Sequence, residues 1–135
     1  MPENLSTDDA SRVDLEMVQG IWRTVAVEVD GSPVAPWLFE SATLVITGDR
    51  FILRNPLPDA DERTEGVLTL GAEKVPKELT VALDSGQMIE EIYAVEGNTL
   101  RICCPVKGNR RPTAFTTTPD SGLSLVLYKR EKPAS

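Results

Sequence analysis

Few side chains in this sequence can do chemistry, and the first to weigh are Glu91 and Tyr93, in the run Ile89-Glu90-Glu91-Ile92-Tyr93. Residues two apart on a strand project from the same face, which sets a carboxyl beside a phenol. A glutamate in apolar surroundings has its pKa raised towards neutrality, which suits proton transfer. The pair could thus act as acid and base in a cofactor-free cyclase or isomerase, or as a polar anchor for a bound molecule. The chain has no histidine, which removes the commonest zinc ligand, the usual haem ligand, every His-dependent triad and the usual neutral-pH base. No cofactor motif is present, and none is expected to be needed.

Three other groupings are weaker. Cys103 and Cys104 are the only cysteines and are adjacent, so a disulfide between them would be strained and no framework can form. They are read as reduced thiols acting as small apolar side chains. On a strand one would point in and the other out. Asp59, Asp61 and Glu62 offer oxygen ligands without a regular metal-binding spacing, and read as a solvated acidic loop. Lys107-Gly108-Asn109-Arg110-Arg111 lacks the interleaved aromatics of a nucleic-acid surface, and reads as a solvated loop or a clamp for a ligand carboxylate.

Composition narrows the partners. With 14 basic and 21 acidic residues the net charge is −7, so nucleic acid and anionic membranes are repelled on average. No apolar run approaches the roughly 20 residues of a membrane span. The opening residues are polar and acidic rather than signal-like, and with reduced thiols a cytoplasmic location is expected. Length suits one domain. It is placed at residues 11–131, after a disordered tail over 1–10.

The elements that must carry these residues are mostly strands. Ser11 can cap a short helix from Arg12 to Gln19, with Val13, Met17 and Val18 on one face and Gly20 as its stop. Strand-like runs follow at Ile21–Val29, Thr43–Thr47, Arg50–Asn55, Glu65–Leu70, Glu78–Asp84, Ile89–Glu96, Thr99–Pro105 and Leu123–Arg130. Short connections imply antiparallel neighbours, so the predicted fold is all-β, an eight-stranded antiparallel up-and-down barrel with a short N-terminal helix.

Two turns set the register. Gly48-Asp49 places Thr47 opposite Arg50, Ile46 opposite Phe51 and Leu44 opposite Leu53. Gly97-Asn98 places Val95 opposite Leu100, Tyr93 opposite Ile102 and Glu91 opposite Cys104. Leu44, Ile46, Phe51 and Leu53 then face inward, while Glu90, Ile92, Ala94 and Arg101 face mainly outward. Glu91 falls on the apolar face, where an unpartnered carboxyl is costly. Either it is paired, protonated or near a wet mouth, or a bulge or one-residue slip returns it to solvent, and the slip is the preferred reading.

Gly20-Ile21-Trp22, opening the first strand, resembles the Gly-x-Trp start of lipocalins. That resemblance implies that Trp22 closes the barrel base and that Arg130 stacks on it, a cation–π contact. Over residues 18–130 the chain resembles an uncharacterised lipocalin-like domain family abundant in planctomycete bacteria. The segments that carry this are Gln19-Gly20-Ile21-Trp22, Glu28-Val29-Asp30-Gly31, Gly48-Asp49-Arg50-Phe51, Ile92-Tyr93, Gly97 to Cys103, Arg111-Pro112-Thr113-Ala114-Phe115 and Val126 to Arg130. The resemblance implies the barrel and carries no chemistry. The sequence departs from that pattern at Asn55–Thr64 and Gln87–Glu91.

The leading expectation is a barrel that binds a small, largely apolar molecule. Trp22, Leu44, Phe51, Tyr93 and Phe115 are candidate wall residues, and Glu91 and Cys104 are polar anchors. For Trp22, Leu44 and Phe51 plain core packing is slightly preferred. The alternatives are the cyclase or isomerase, acting on a polyene or polyketide-like substrate, and a protein-interaction module whose barrel is filled by its own side chains. The oligomeric state is not legible.

Overall fold

Gly48 and Gly97 hold φ at 62° and 59°, the positive value that a two-residue hairpin with glycine first requires. The registers follow as predicted: Thr47 pairs with Arg50, Ile46 with Phe51 and Leu44 with Leu53, and Val95 pairs with Leu100 and Tyr93 with Ile102. The computed structural model describes residues 5–54, 63–106 and 110–131. The acidic trio Asp59, Asp61 and Glu62, and Lys107 to Asn109 of the basic loop, lie outside them.

The described chain forms one α-helix, α1 (Leu5–Met17), one 3-10 turn (Pro36–Leu38) and nine strands. These are β1 (Gly20–Val29), β2 (Ser32–Pro33), β3 (Thr43–Thr47), β4 (Arg50–Arg54), β5 (Arg63–Gly71), β6 (Glu78–Leu83), β7 (Met88–Glu96), β8 (Thr99–Pro105) and β9 (Leu123–Arg130). Strands β3 to β9 pair in sequence order, and β1 pairs with both β3 and β9. Every pairing is antiparallel. The result is a closed eight-stranded barrel, to which the two-residue β2, not expected from the sequence, is a hairpin extension of β1. A bulge between Thr24 and Ala26 bends β1 so that one long strand can close the barrel.

Alternation along the strands fills the interior. Trp22, Leu44, Ile46, Phe51, Leu68, Leu79, Val81, Tyr93, Leu100, Ile102 and Tyr128 form one buried cluster. Gly66 makes part of this packing feasible: a Cβ there would lie 2.2 Å from the Ala82 carbonyl oxygen and 2.9 Å from the Phe51 ring.

The N-terminus corrects two expectations. The helix α1 begins at Leu5 instead of Arg12, and Ser11 lies inside it instead of capping it. Its hydroxyl donates to the Leu70 carbonyl at 3.0 Å and accepts from the Ala72 N–H at 3.2 Å. The face turned to the barrel is also different: Asp14 and Val18 are buried, whereas Val13 and Met17 are exposed.

The connection between β8 and β9 crosses the outside of the barrel as a strap. Arg111 donates to the carbonyls of Leu79 and Glu91 and to the Thr80 hydroxyl. Further along, Thr117 donates to the Glu28 carboxylate at 3.0 Å and accepts from the Gly31 N–H at 2.8 Å. Ile92 and Cys103 point outward, as the register demands, yet both are buried. The strap lies over this face, with the Thr116 backbone near the Cys103 thiol.

Candidate functional site

The barrel is not filled by its own side chains. A cavity of about 200 Å³ lies within it, lined chiefly by aliphatic side chains of β3 to β9 together with Phe51. Leu44, Phe51, Glu91, Tyr93 and Cys104 all contribute to its wall, so five of the seven candidate residues are brought together.

Glu91 reaches the cavity because β7 carries no bulge. Its register runs unbroken against β6, from Glu78 opposite Ile92 to Ala82 opposite Met88, and against β8 from Ile92 to Glu96. The alternation that points Tyr93 inward therefore points Glu91 inward as well, and the preferred slip does not occur. Only 9% of Glu91 is exposed. Burial pushes its pKa from 4.5 up to about 8, and the Arg111 guanidinium only partly opposes this. At neutral pH the group is mostly an uncharged acid.

Two further polar groups share the wall. The Cys104 thiol is pushed well above its ordinary range by burial and then by the nearby Glu91, so it is a thiol and not a nucleophilic thiolate. Cys103 points the other way, and burial raises it too. The Tyr128 hydroxyl, absent from the sequence-based candidates, also lines the cavity. Burial, followed by Cys104 and Glu91, holds it protonated. Its signal was available: Tyr128 pairs with the inward Leu100, and alternation through Ser124 and Val126 leads to it.

Among the described residues, no side chain donates to the Glu91 carboxyl, and none bonds the Tyr128 hydroxyl. Yet no fully enclosed side-chain oxygen or nitrogen lacks a partner. Both groups therefore keep polar surface open to the cavity.

Tyr93 behaves differently. Its hydroxyl donates to Asp14 on α1 at 2.7 Å, and the same carboxylate oxygen accepts from Lys77 at 2.8 Å. Desolvation and this bond to Asp14 both raise the tyrosine's pKa. The Glu91–Tyr93 acid–base pair of the cyclase or isomerase alternative is therefore not assembled: the two side chains share a face, but the Tyr93 hydroxyl is committed to Asp14 at the barrel base. Asp14, a second buried polar residue that local sequence reading missed, is what holds it there.

Trp22 also belongs to the base and not to the cavity wall. It is wholly buried, its indole N–H donates to the Val18 carbonyl at 2.8 Å, and the Arg130 guanidinium lies 4.2 Å from its ring centroid. Arg130 additionally donates to the carbonyls of Met17 and Gln19 at the end of α1 and to Asn98. The stack expected from the lipocalin resemblance is thus present, and it closes that end of the barrel. Phe115 is a correction: it lies on the strap outside the barrel, 4.8 Å from the Arg101 guanidinium. Arg111 neither dangles in solvent nor faces the cavity. It fastens the strap to β6 and β7 and lies close to Glu78 and Glu90 as well.

No helix among the described residues is long and apolar enough to cross a membrane. Comparisons of the chain with family models, curated proteins and solved structures found no match.

Proposed function

We propose that the protein binds a small, largely apolar molecule inside its barrel. The observation that carries this reading is the apolar cavity of about 200 Å³ with Glu91, Cys104 and Tyr128 in its wall. Protein interiors are otherwise packed to crystal-like density, and wall atoms without neighbours forgo dispersion contacts that a fitting guest restores. An apolar cavity of about 150 Å³ is enough to take up benzene. A molecule of one ring with a short substituent is the size supported here.

The same observations rank the other readings. A polyene or polyketide-like substrate needs more room, and the Tyr93 hydroxyl is tied to Asp14, which weakens the cyclase or isomerase. An interaction module with a filled barrel is weakened by the cavity itself. A cytoplasmic location and kinship with the lipocalin-like family of planctomycetes belong to the same proposal. The family reading is supported by the Gly20-Ile21-Trp22 opening and the Trp22–Arg130 stack.

Native mass spectrometry, with organic extraction, of protein purified from its own host tests the reading. A stoichiometric small molecule is the expected result. Protein that carries none and also fails to bind apolar fluorescent probes would overturn it.

A further inference from the structure

We propose that the molecule held in the barrel is a neutral carbonyl compound of monocyclic size, whose oxygen accepts hydrogen bonds from the Glu91 carboxyl and the Tyr128 hydroxyl. This rests on the cavity-binding reading above and names the chemistry of its guest.

Glu91 is about nine-tenths buried and, like Tyr128, has no hydrogen-bond partner among the described residues while facing the cavity. Their polar atoms keep open surface in the cavity, so a guest that covers them without supplying a partner incurs about 1–3 kcal/mol, and one that supplies the partner is selected over it. Among the described residues, the cavity wall includes no lysine or arginine. A carboxylate guest would therefore be desolvated without a compensating cation.

The protonation states then choose between an acceptor and a donor. Facing Glu91 are the Cys104 thiol on β8 and the Tyr128 hydroxyl on β9, both shifted upward, and β6 presents the apolar Leu79 opposite it. Among the described residues, the charge that acts on Glu91 is the Arg111 guanidinium on the outer side of the strands, and burial outweighs it. At neutral pH Glu91 and Tyr128 are both neutral O–H donors, and a carbonyl oxygen with two lone pairs can accept from both. An ammonium group would instead require an ionised Glu91 in a setting that disfavours it. No base accompanies these donors, since the Tyr93 hydroxyl is turned onto Asp14 and Cys104 is held as a thiol. The arrangement holds a carbonyl compound without deprotonating it.

The test uses four probes of about nine non-hydrogen atoms, a size matched to the cavity: acetophenone, cumene, benzoate and α-methylbenzylamine, titrated calorimetrically into the full-length protein. Acetophenone is expected to bind about tenfold more tightly than cumene, the worth of two modest net hydrogen bonds. Benzoate should not bind. Glu91→Leu and Tyr128→Phe should each reduce the acetophenone advantage to about threefold while leaving cumene binding in place. In the unmodified protein the advantage should fall as pH rises through about 8, and in Glu91→Gln it should not. Equal affinities for acetophenone and cumene, or tightest binding of the amine or of benzoate, would overturn the carbonyl proposal and leave the cavity reading standing. Failure of all four probes would overturn both.

Discussion

Replacing Glu91 by Gln keeps the side chain's shape and removes its titration, and the consequence can be worked out from the burial of this one group. In the unfolded chain the carboxyl ionises near 4.5, whereas in the barrel it does so at about 8. Below 4.5 both states hold the proton and the shift has no effect. As pH rises, the unfolded state ionises first, and native stability falls by about 1.4 kcal/mol per pH unit until the native group titrates as well. The stability present in acid is thus lost between roughly pH 4.5 and 8, about 4–5 kcal/mol in all. That is a large share of the ~5–15 kcal/mol of an ordinary domain. The glutamine variant escapes this loss. Its stability relative to the parent should rise by about 4 kcal/mol between pH 5 and pH 9, or roughly 15 °C in Tm. Urea unfolding of the two proteins at pH 5, 7 and 9 measures the difference, and every other titrating group cancels in it. Curves that stay parallel within about 1 kcal/mol would refute the reasoning, because a carboxyl exposed by a slipped register titrates alike in both states.

Other substitutions probe the supports of the site. Gly66→Ala has no room for its methyl group against Ala82 and Phe51, and is expected to destabilise by about 1–3 kcal/mol in chemical unfolding. Arg130→Ala removes the stack on Trp22 and the bonds to the end of α1, an expected loss of about 2–4 kcal/mol. Arg130→Lys should recover less than half of it, since an ammonium cannot reproduce the planar fork. Tyr93→Phe should lower stability by about 1–2 kcal/mol by taking one donor from Asp14. It should leave cumene and acetophenone affinities unchanged in calorimetry, whereas loss of binding would place the hydroxyl in the cavity.

Strand alternation and hairpin chemistry carried most of the fold. The pairings read through Gly48 hold throughout, and those through Gly97 hold for Val95–Leu100 and Tyr93–Ile102, the ladder ending at Ile92–Cys103 just short of Glu91–Cys104; they placed Leu44, Phe51, Tyr93 and Cys104 on the inner face. The failures share a physical cause, which is a partner distant in sequence. Ser11 looks like an N-cap until its hydroxyl is seen bound to the β5 end, 59 residues away. Phe115 was read as wall because nothing in the sequence says on which side of the sheet a long connection crosses. Glu91 was doubted because alternation put a carboxyl in a core, and the doubt assumed a core packed solid. Tyr128 followed from the same alternation, and only the pairing of β8 with β9 had to be carried two residues further.

Two sets of polar residues in this protein contrast, and the contrast bears on function. Asp14 has Tyr93 and Lys77, Thr117 has Glu28 and Gly31, and Arg111 has two carbonyls and a hydroxyl. These groups fasten the helix and the strap, and their bonds offset the cost of desolvation. Glu91 and Tyr128 have no such partners among the described residues, and both face the cavity. If folding alone governed that wall, leucine and phenylalanine would serve there, because apolar side chains of similar shape lose no bond and avoid the desolvation that raises the pKa of Glu91. Polar groups left open by the fold thus lie at the cavity wall, where a bound molecule could become their partner.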